Sequence, residues 1–421
     1  MKRYYRVLIS RAVLVSAGLI YALFITRFGG AEEAGRFFIS ISVLSSGVLL
    51  LRGGLQEPLL RLLSVGYASG EYRWMRSANR WIAFYSAFGG VLLITVIYAA
   101  GRPIASKVFN EPSLDDELFI AALAIPPLTY IWLMSSFFKA MNKPSTALVF
   151  DFNGVALLSL PLVLLLGWIH HVNAREALVC FVFMAYGLAG LGLVGFIRLC
   201  PCAGAEKKIF RWKEVSRSFV PMLVASLASF LLSMSPILFI GSAVDAKSAG
   251  IFAIAMKLSR VMIVINSIIN AVFSRRFALA SAAGRYDRLV VDVRTAGIIA
   301  TTLSLLPFGV LLCFPNIILS MFGESMVEGR VVLLILATGT FFEVALGPAG
   351  AALTMMEKER HVRNIMLLAA VAFLIATYVW WQNPQIEAYA AIIAVVSAGV
   401  KAVAVLVLMR IVSAQIGGNT C

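Results

Sequence analysis

The strongest constraint on this chain is a series of about twelve apolar stretches, each near the length of ~20 residues that an α-helix needs to cross a bilayer. A helix is required there because each unpaired backbone amide in lipid costs several kcal/mol. Hydrophobic residues make up 61% of the sequence and charged residues 14%, whereas about a quarter of a soluble domain is charged. The sequence therefore predicts an all-α integral membrane protein and excludes a soluble enzyme. The stretches lie near residues 8–26, 37–60, 81–100, 118–138, 146–168, 177–199, 219–241, 250–273, 296–314, 331–355, 365–381 and 388–409.

Basic residues are concentrated in alternate connections between these stretches. If the N-terminus lies in the cytoplasm, about 25 of the 36 Lys and Arg residues fall on the cytoplasmic side and about 7 on the outer side. This distribution follows the positive-inside rule, so we expect both termini in the cytoplasm. It also accounts for the formal net charge of +15, so we expect no nucleic-acid partner.

Cysteine content, histidine content and loop length give no indication of enzymatic chemistry. The five Cys residues are scattered and odd in number, and the three His residues cannot build a metal site. No connection exceeds roughly 20 residues, whereas a separate soluble domain needs at least about 50. We therefore expect no catalytic residue and no metal site, so any function must be built from the helices and their short turns.

The chain contains an internal repeat. Residues 23–37 recur as residues 238–252, with seven of the fifteen positions identical and no gap. A repeat unit of about six helices, an even number, inserts twice in the same orientation, as in parallel-repeat transporters. The sequence predicts an N-terminal six-helix half at residues 1–205 and a C-terminal half at residues 206–421.

The repeated segment contains a turn with capping residues. Gly30 and Asp245 occupy matching N-cap positions, and Glu32 and Glu33 fall in the first turn of the second helix, where the helix dipole favours carboxylates. A substrate contact by either glutamate is the alternative interpretation. Glycines that allow close helix approach are predicted at Gly35 and Gly250, and in the sixth helix at Gly187, Gly190, Gly192 and Gly195.

The same turn carries a resemblance to a known family. Residues 30–37 read Gly-Ala-Glu-Glu-Ala-Gly-Arg-Phe, and with Gly29 before them they resemble the signature L-G-x-E-x-x-G-x-F of bacterial polysaccharide-export flippases, the O-antigen (Wzx-type) transporters. A glycine stands at the leucine position, and Ala31 stands where proline is common. Residues 138–144, Phe-Lys-Ala-Met-Asn-Lys-Pro, are also similar to the family.

The resemblance implies a fold and a function. The fold is that of the multidrug/oligosaccharidyl-lipid/polysaccharide (MOP) exporter superfamily, a V-shaped transporter like the MATE proteins. The implied substrate is an undecaprenyl-pyrophosphate-linked oligosaccharide, an O-antigen repeat unit of lipopolysaccharide or another surface polysaccharide, moved by alternating access across the bacterial inner membrane. A polysaccharide polymerase or ligase would be a partner. The alternatives are a cation-coupled multidrug antiporter of the same fold and a membrane glycosyltransferase or polymerase.

Ionisable residues inside the predicted helices are the candidate functional residues, because a charge in a bilayer is costly unless it faces water or a partner. Arginine and lysine would suit a pyrophosphate, and the resemblance implies that helices two and eight line the central cavity. We therefore predict substrate contacts by Arg52, Lys257 and Arg260. Pairing of Arg52 with Glu57, and an interhelical role for Lys401, are the structural alternatives.

Helical spacing adds two serines to this predicted site. Seven residues turn an α-helix by about 700°, so Ser45 and Arg52 share one face of helix two. Arg260 and Ser267 share a face of helix eight in the same way. The repeat spacing of 215 residues relates Ser45 to Arg260 and Arg52 to Ser267.

Two acids are candidates for coupling transport to H⁺ or Na⁺, since a buried carboxyl group can exchange protons near neutral pH. Glu343 lies near the middle of the tenth stretch, four residues before Gly347-Pro348, where proline can open the helix. Asp151 lies near one end of the fifth stretch. A proline pair, at 126–127, predicts a kink in the fourth stretch.

Overall fold

The computed structural model describes residues 2–70, 72–169, 172–200, 223–224, 226–228, 230–356, 358–380 and 384–418. Throughout these residues the regular structure is helical, with two short 3₁₀ segments and no strand. The chain divides into two compact units: Met1–Phe230 with Ile237–Gly250, and Leu231–Pro236 with Ile251–Cys421. The predicted division between residues 205 and 206 lies outside the described residues and remains a prediction.

The first unit contains the first five residues of α11 (Ala246–Ser259) and ten other helices in whole or in part. They are α1 (Lys2–Arg52), α2 (Gln56–Ala68), α3 (Tyr72–Lys107), α4 (Leu114–Ala122), α5 (Ile125–Ala140), α6 (Pro144–Val149), α7 (Phe152–Ile169), α8 (Ala174–Leu199), most of α9 (Ser226–Ser233) and α10 (Ser235–Ala243). Its core is built from large side chains that are fully buried, among them Tyr21, Phe37, Phe137, Phe181 and Phe196.

The second unit contains Leu231–Pro236, at the break between α9 and α10, and the chain from Ile251 onwards, so α11 is divided between the two units. A 3₁₀ segment (Arg260–Met262) joins α11 to the next helix. The remaining helices are α12 (Ile263–Ala282), α13 (Tyr286–Cys313), α14 (Pro315–Met321), α15 (Arg330–Leu346), α16 (Pro348–Met355), α17 (Glu359–Val379) and α18 (Ile386–Gly418), with a second 3₁₀ segment (Glu324–Gly329) before α15.

The predicted spans are recovered as long apolar helices. Within the described residues, nine helices are long and apolar enough to cross a bilayer, and two bent pairs can each form one more span. One of the nine, Ser10–Arg52, has 43 residues, about twice the length that a crossing requires. It is divided at Gly30, whose φ of 81° and ψ of −177° leave the helical region. Dividing it there accounts for the first two of the twelve predicted stretches.

Prolines open helices where the sequence predicts. The fourth stretch is bent by 41° between α4 and α5, and Pro126 lies in the first turn of α5. The tenth stretch is interrupted at Gly347, with Pro348 beginning α16. The fifth stretch differs from its prediction, because it is broken between α6 and α7. Asp151 therefore lies in a break between two helices and not inside one.

The capping prediction for the repeated turn is partly confirmed. The Oδ1 atom of Asp245 accepts a hydrogen bond from the backbone N–H of Ser248 at 2.6 Å, as expected of an N-cap. Glu33 caps a different helix from the one predicted, since its Oε2 atom accepts a hydrogen bond from the backbone N–H of Ala174 at 2.6 Å, at the start of α8. The Oε1 atom of Glu33 lies 3.2 Å from Nη1 of Arg36. Glu33 thus ties α1 to α8 by charge-assisted hydrogen bonds.

The repeated glycines bring the two copies of the motif together within the first unit. A Cβ atom on Gly35 would contact the backbone carbonyl of Ala246, and a Cβ atom on Gly250 would contact the carbonyl of Ala31. The close approach predicted at both positions is confirmed. The prediction is wrong for Gly187 and Gly190 of α8, where an added Cβ would have no neighbour within 4 Å among the described residues.

Candidate functional site

The predicted membrane cations are divided between the two units. Arg52 lies in the first unit, and Lys257 and Arg260 lie in the second. All three side chains are partly buried.

Arg52 is the last residue of α1, and two side chains hold its guanidinium group. Its Nη1 atom donates a hydrogen bond to Oε1 of Gln56 at 2.8 Å. Its guanidinium carbon lies 3.5 Å from the centroid of the Trp132 ring, in a cation–π contact. The structure contains no ion pair of Arg52 among the side chains that it describes, and the side chain of Glu57, its predicted alternative partner, lies outside them.

Helix α1 ends at Arg52, and residues 53–55 separate it from α2. The second predicted stretch is therefore not one continuous helix up to residue 60. Hydroxyl groups from other helices bond to the backbone carbonyls at this break. Tyr85 donates to Leu51 at 2.9 Å, and Ser226 donates to Gly53 at 2.8 Å. Broken helices are tolerated in membranes where such groups satisfy the freed backbone. The break therefore places Arg52 at a stable helix end.

Asp151 lies in the same unit, and its carboxylate is engaged locally. Its Oδ1 atom accepts a hydrogen bond from the backbone N–H of Phe152 at 2.6 Å, at the start of α7. Three basic side chains interact with it electrostatically: Arg52, Lys139 and Arg11. The carboxylate thus lies in a positive environment.

Arg260 lies in the 3₁₀ segment, and its guanidinium group reaches the break between α9 and α10. Its Nη1 and Nη2 atoms donate to the carbonyl oxygens of Ser233 at 3.3 Å and Leu232 at 3.5 Å. The α9 and α10 axes differ there by 47°. Proline at position 236 has no N–H group to bond the Leu232 carbonyl four residues earlier, so Arg260 supplies the missing donor. Arg260 therefore stabilises a broken helix within the second unit.

The 3₁₀ segment also changes the face that Arg260 shares with Ser267. Each 3₁₀ residue turns the helix by about 120°, and each α-helical residue turns it by about 100°. The three residues of the 3₁₀ segment therefore rotate Ser267 relative to Arg260 by about 60° more than a continuous α-helix would. The hydroxyl of Ser267 donates to the carbonyl of Ile263 at 3.2 Å. Ser45 is partly buried on α1, where the helix is regular up to Arg52.

Glu343 lies on α15 and pairs with a base on another helix. Its Oε1 atom is 3.9 Å from Nζ of Lys401 on α18, with side-chain exposures of 24% and 19%. Arg260 interacts with the same carboxylate electrostatically. Lys257 lies on α11 one turn before Arg260. The interhelical alternative for Lys401 agrees with this geometry, and Glu343 faces two basic side chains.

Sequence reasoning missed three polar or aromatic residues near these positions. Gln56 could have been found, because it lies four residues after Arg52. Trp132 gave no signal, because it is 80 residues from Arg52 along the chain. Asn266 was missed for the same reason: it lies against Gly347 at the α15–α16 break, and its buried Oδ1 atom has no hydrogen-bond partner among the described residues. Among all the residues that the structure describes, no three His, Cys, Asp or Glu side chains come together in a way that could hold a metal.

Comparison with known proteins identifies the fold. No family model matches the sequence, and no curated protein matches it. An inward-facing MATE-family multidrug resistance transporter of the MOP superfamily superposes with a TM-score of 0.76 at 12% identity, over 96% of each chain. The lipid II flippase MurJ, in an inward closed conformation, superposes with a TM-score of 0.73 at 12% identity, over 96% of this chain and 87% of MurJ.

The chain has the fold of the MOP-superfamily transporters. A MOP-superfamily transporter from Pyrococcus furiosus is also similar, with a TM-score of 0.63 at 13% identity over 98% of this chain and 95% of that one. The predicted all-α transporter fold is thereby confirmed, and the protein is a multi-pass membrane protein. These structures are of transporters and flippases.

Proposed function

We propose that this protein is a flippase that moves an undecaprenyl-pyrophosphate-linked oligosaccharide from the cytoplasmic to the periplasmic leaflet of a bacterial inner membrane by alternating access. The observation that carries the proposal is the guanidinium group of Arg52. It is partly buried at a helix break and has no ion pair among the described side chains. The Asp151 carboxylate interacts with it electrostatically but forms no ion pair with it. A guanidinium group in a membrane helix requires an anionic partner or water, and a pyrophosphate would supply an anion bonded directly to it. The similarity to a lipid II flippase agrees with a lipid-linked substrate.

The remaining predicted residues take supporting roles in this proposal. Lys257 and Arg260 contact the phosphate or anionic sugars, and the hydroxyl groups of Ser45 and Ser267 bind sugar hydroxyls. The hydrogen bonds of Arg260 to Leu232 and Ser233 are long, at 3.3–3.5 Å, so a charged phosphate oxygen would compete with them. Both termini are cytoplasmic, and a polysaccharide polymerase or ligase receives the product.

Ion coupling by Glu343 or Asp151, with H⁺ or Na⁺, belongs to the same proposal. The ion pair between Glu343 and Lys401 provides a physical mechanism for coupling through Glu343. Protonation of the carboxylate would release Lys401 and Arg260 from their common counter-charge. If Glu343 is the coupling residue, transport by Glu343→Gln loses its dependence on a proton gradient.

The second candidate is a cation-coupled multidrug antiporter, which the similarity to MATE multidrug transporters favours. An organic cation needs an acid that is free to bind it. Glu343 faces Lys401 and Arg260, and Asp151 faces three bases. Because the positive charges around both acids oppose a cationic substrate, the charge distribution favours the flippase.

The deciding experiment reconstitutes the purified protein in proteoliposomes with a fluorescent undecaprenyl-pyrophosphate oligosaccharide and measures its transfer between leaflets. We expect transfer by the wild type, and strong losses in Arg52→Ala and Arg260→Ala at normal membrane insertion. Arg102→Ala is the matched control, because the Arg102 side chain is 91% exposed. Transfer of a cationic dye driven by a proton gradient, without transfer of the oligosaccharide, would establish the antiporter instead. Full transfer by the Arg52→Ala/Arg260→Ala double variant would overturn the cationic site.

A further inference from the structure

The guanidinium group of Arg52 is fixed in two independent directions. The Trp132 ring covers one of its faces, since 3.5 Å from the guanidinium carbon to the ring centroid is a stacking distance. Gln56 fixes its rotation within the plane, because one Nη1–H group is bonded to the Gln56 amide oxygen at 2.8 Å. A guanidinium group has five N–H donors in one rigid plane. The donors other than this one have no protein partner among the described residues.

The helix that carries Trp132 also fixes the segment that carries Gln56. Trp132 and Ser136 lie four residues apart on α5 and therefore on one face of that helix. The buried Ser136 hydroxyl donates to the backbone carbonyl of Gln56 at 3.4 Å. One face of α5 thus holds both groups that contact Arg52. Such support from a second layer of contacts is what keeps a binding group in one geometry.

The charges of these partners are informative. Trp132 and Gln56 are both neutral, so they orient the guanidinium group without neutralising it. A glutamate at position 56 would form an ion pair with Arg52 and compete with any anionic ligand. The Asp151 carboxylate acts on the guanidinium group electrostatically without a hydrogen bond to it. The arrangement therefore leaves a planar edge of unbonded donors, whose paired N–H groups match the paired oxygens of a phosphate.

We propose that Trp132 and Gln56 are positioning residues that hold the guanidinium plane of Arg52 so that its free edge binds a lipid-linked pyrophosphate. The inference rests on the proposed function for the identity of the ligand. It adds that affinity for the phosphate depends on an aromatic ring and on a neutral amide, neither of which touches the phosphate. A stacked arginine loses less rotational freedom on binding, so removing the ring weakens binding.

The test measures binding of undecaprenyl pyrophosphate to the full-length protein in nanodiscs, with undecaprenol as the lipid that lacks phosphate. Trp132→Leu should weaken binding of the pyrophosphate by about tenfold to thirtyfold, the range of a desolvated cation–π contact. Trp132→Phe should recover part of this loss because it keeps an aromatic face. Gln56→Glu should weaken binding more than Gln56→Ala does. Trp168→Leu is the matched control, because Trp168 is 93% exposed, and it should bind as the wild type does.

A spectroscopic measurement keeps the test decisive if Trp132→Leu fails to fold. In a variant with the other six tryptophans replaced by phenylalanine, Trp132 fluorescence should change on addition of undecaprenyl pyrophosphate and not of undecaprenol. The change should disappear in the same variant with Arg52→Ala. Emission that does not respond to the pyrophosphate, or wild-type affinity in folded Trp132→Leu and Gln56→Glu, would overturn the inference.

The same variants separate this inference from the proposed function. If wild-type protein transfers the oligosaccharide and the Trp132 and Gln56 variants transfer and bind it equally well, the positioning role fails and the flippase stands. If the pyrophosphate binds with the expected variant pattern but the wild type transfers no oligosaccharide, the flippase fails and the anion site stands.

Discussion

Replacing Gly35 by alanine tests the crossing at the repeated motif. The added Cβ atom would contact the carbonyl oxygen and carbon of Ala246, which are backbone atoms of α11 that cannot rotate away. The two helices must therefore separate, and overpacking of this kind costs about 2 kcal/mol. For a unit of this size, that free energy lowers the unfolding midpoint Tm by about 4–8 °C. Gly250→Ala should behave similarly, because its Cβ atom would contact the carbonyl of Ala31.

The assay is thermal unfolding of the purified protein in detergent, followed by intrinsic fluorescence and by the monodisperse fraction that remains after heating. Gly187→Ala is the matched control, because it adds the same methyl group on a membrane helix where no atom of the described residues lies within 4 Å. Alanine is preferred over glycine in a helix by about 0.5–1 kcal/mol, so the control should unfold at the wild-type temperature or above it. Equal Tm values for Gly35→Ala, Gly250→Ala and the wild type would refute the close crossing.

Two further perturbations separate structural charges from exposed ones. Glu33→Ala should destabilise the protein by about 1–2 kcal/mol, because it removes the acceptor for the Ala174 amide. Glu32→Ala should change stability by less than about 0.5 kcal/mol, because Glu32 is 62% exposed. Equal unfolding midpoints for the two variants would contradict the capping role of Glu33. Glu343→Ala should destabilise the second unit by about 2 kcal/mol, because it leaves Lys401 without its carboxylate, and the double variant Glu343→Gln/Lys401→Gln should recover most of that loss. A double-variant cycle with no coupling between these two residues would show that the ion pair contributes nothing.

The sequence alone determined the class of the protein. Apolar length, the asymmetry of basic residues and the positions of proline are local or additive properties. They predicted a multi-helix membrane protein with a bend at Pro126 and a helix interruption before Pro348. The repeated motif predicted close packing at Gly35 and Gly250, because small residues let the backbones of membrane helices approach closely. Helix breaks that lack a strong signal were missed, as after Val149, since a few residues of irregular backbone leave apolar composition unchanged.

The tertiary structure decided which groups the charges meet. Nothing local to Arg52 indicates Trp132, and nothing local to Glu33 indicates the start of α8 at Ala174. The bonding of Arg260 to the carbonyls at the α9–α10 break likewise depends on a residue 27 positions away. Hydropathy and helical period fix how each segment sits in lipid, because they act over a few turns. The partner of a buried charge depends on how helices far apart in sequence pack, and that is settled only when the whole chain has folded.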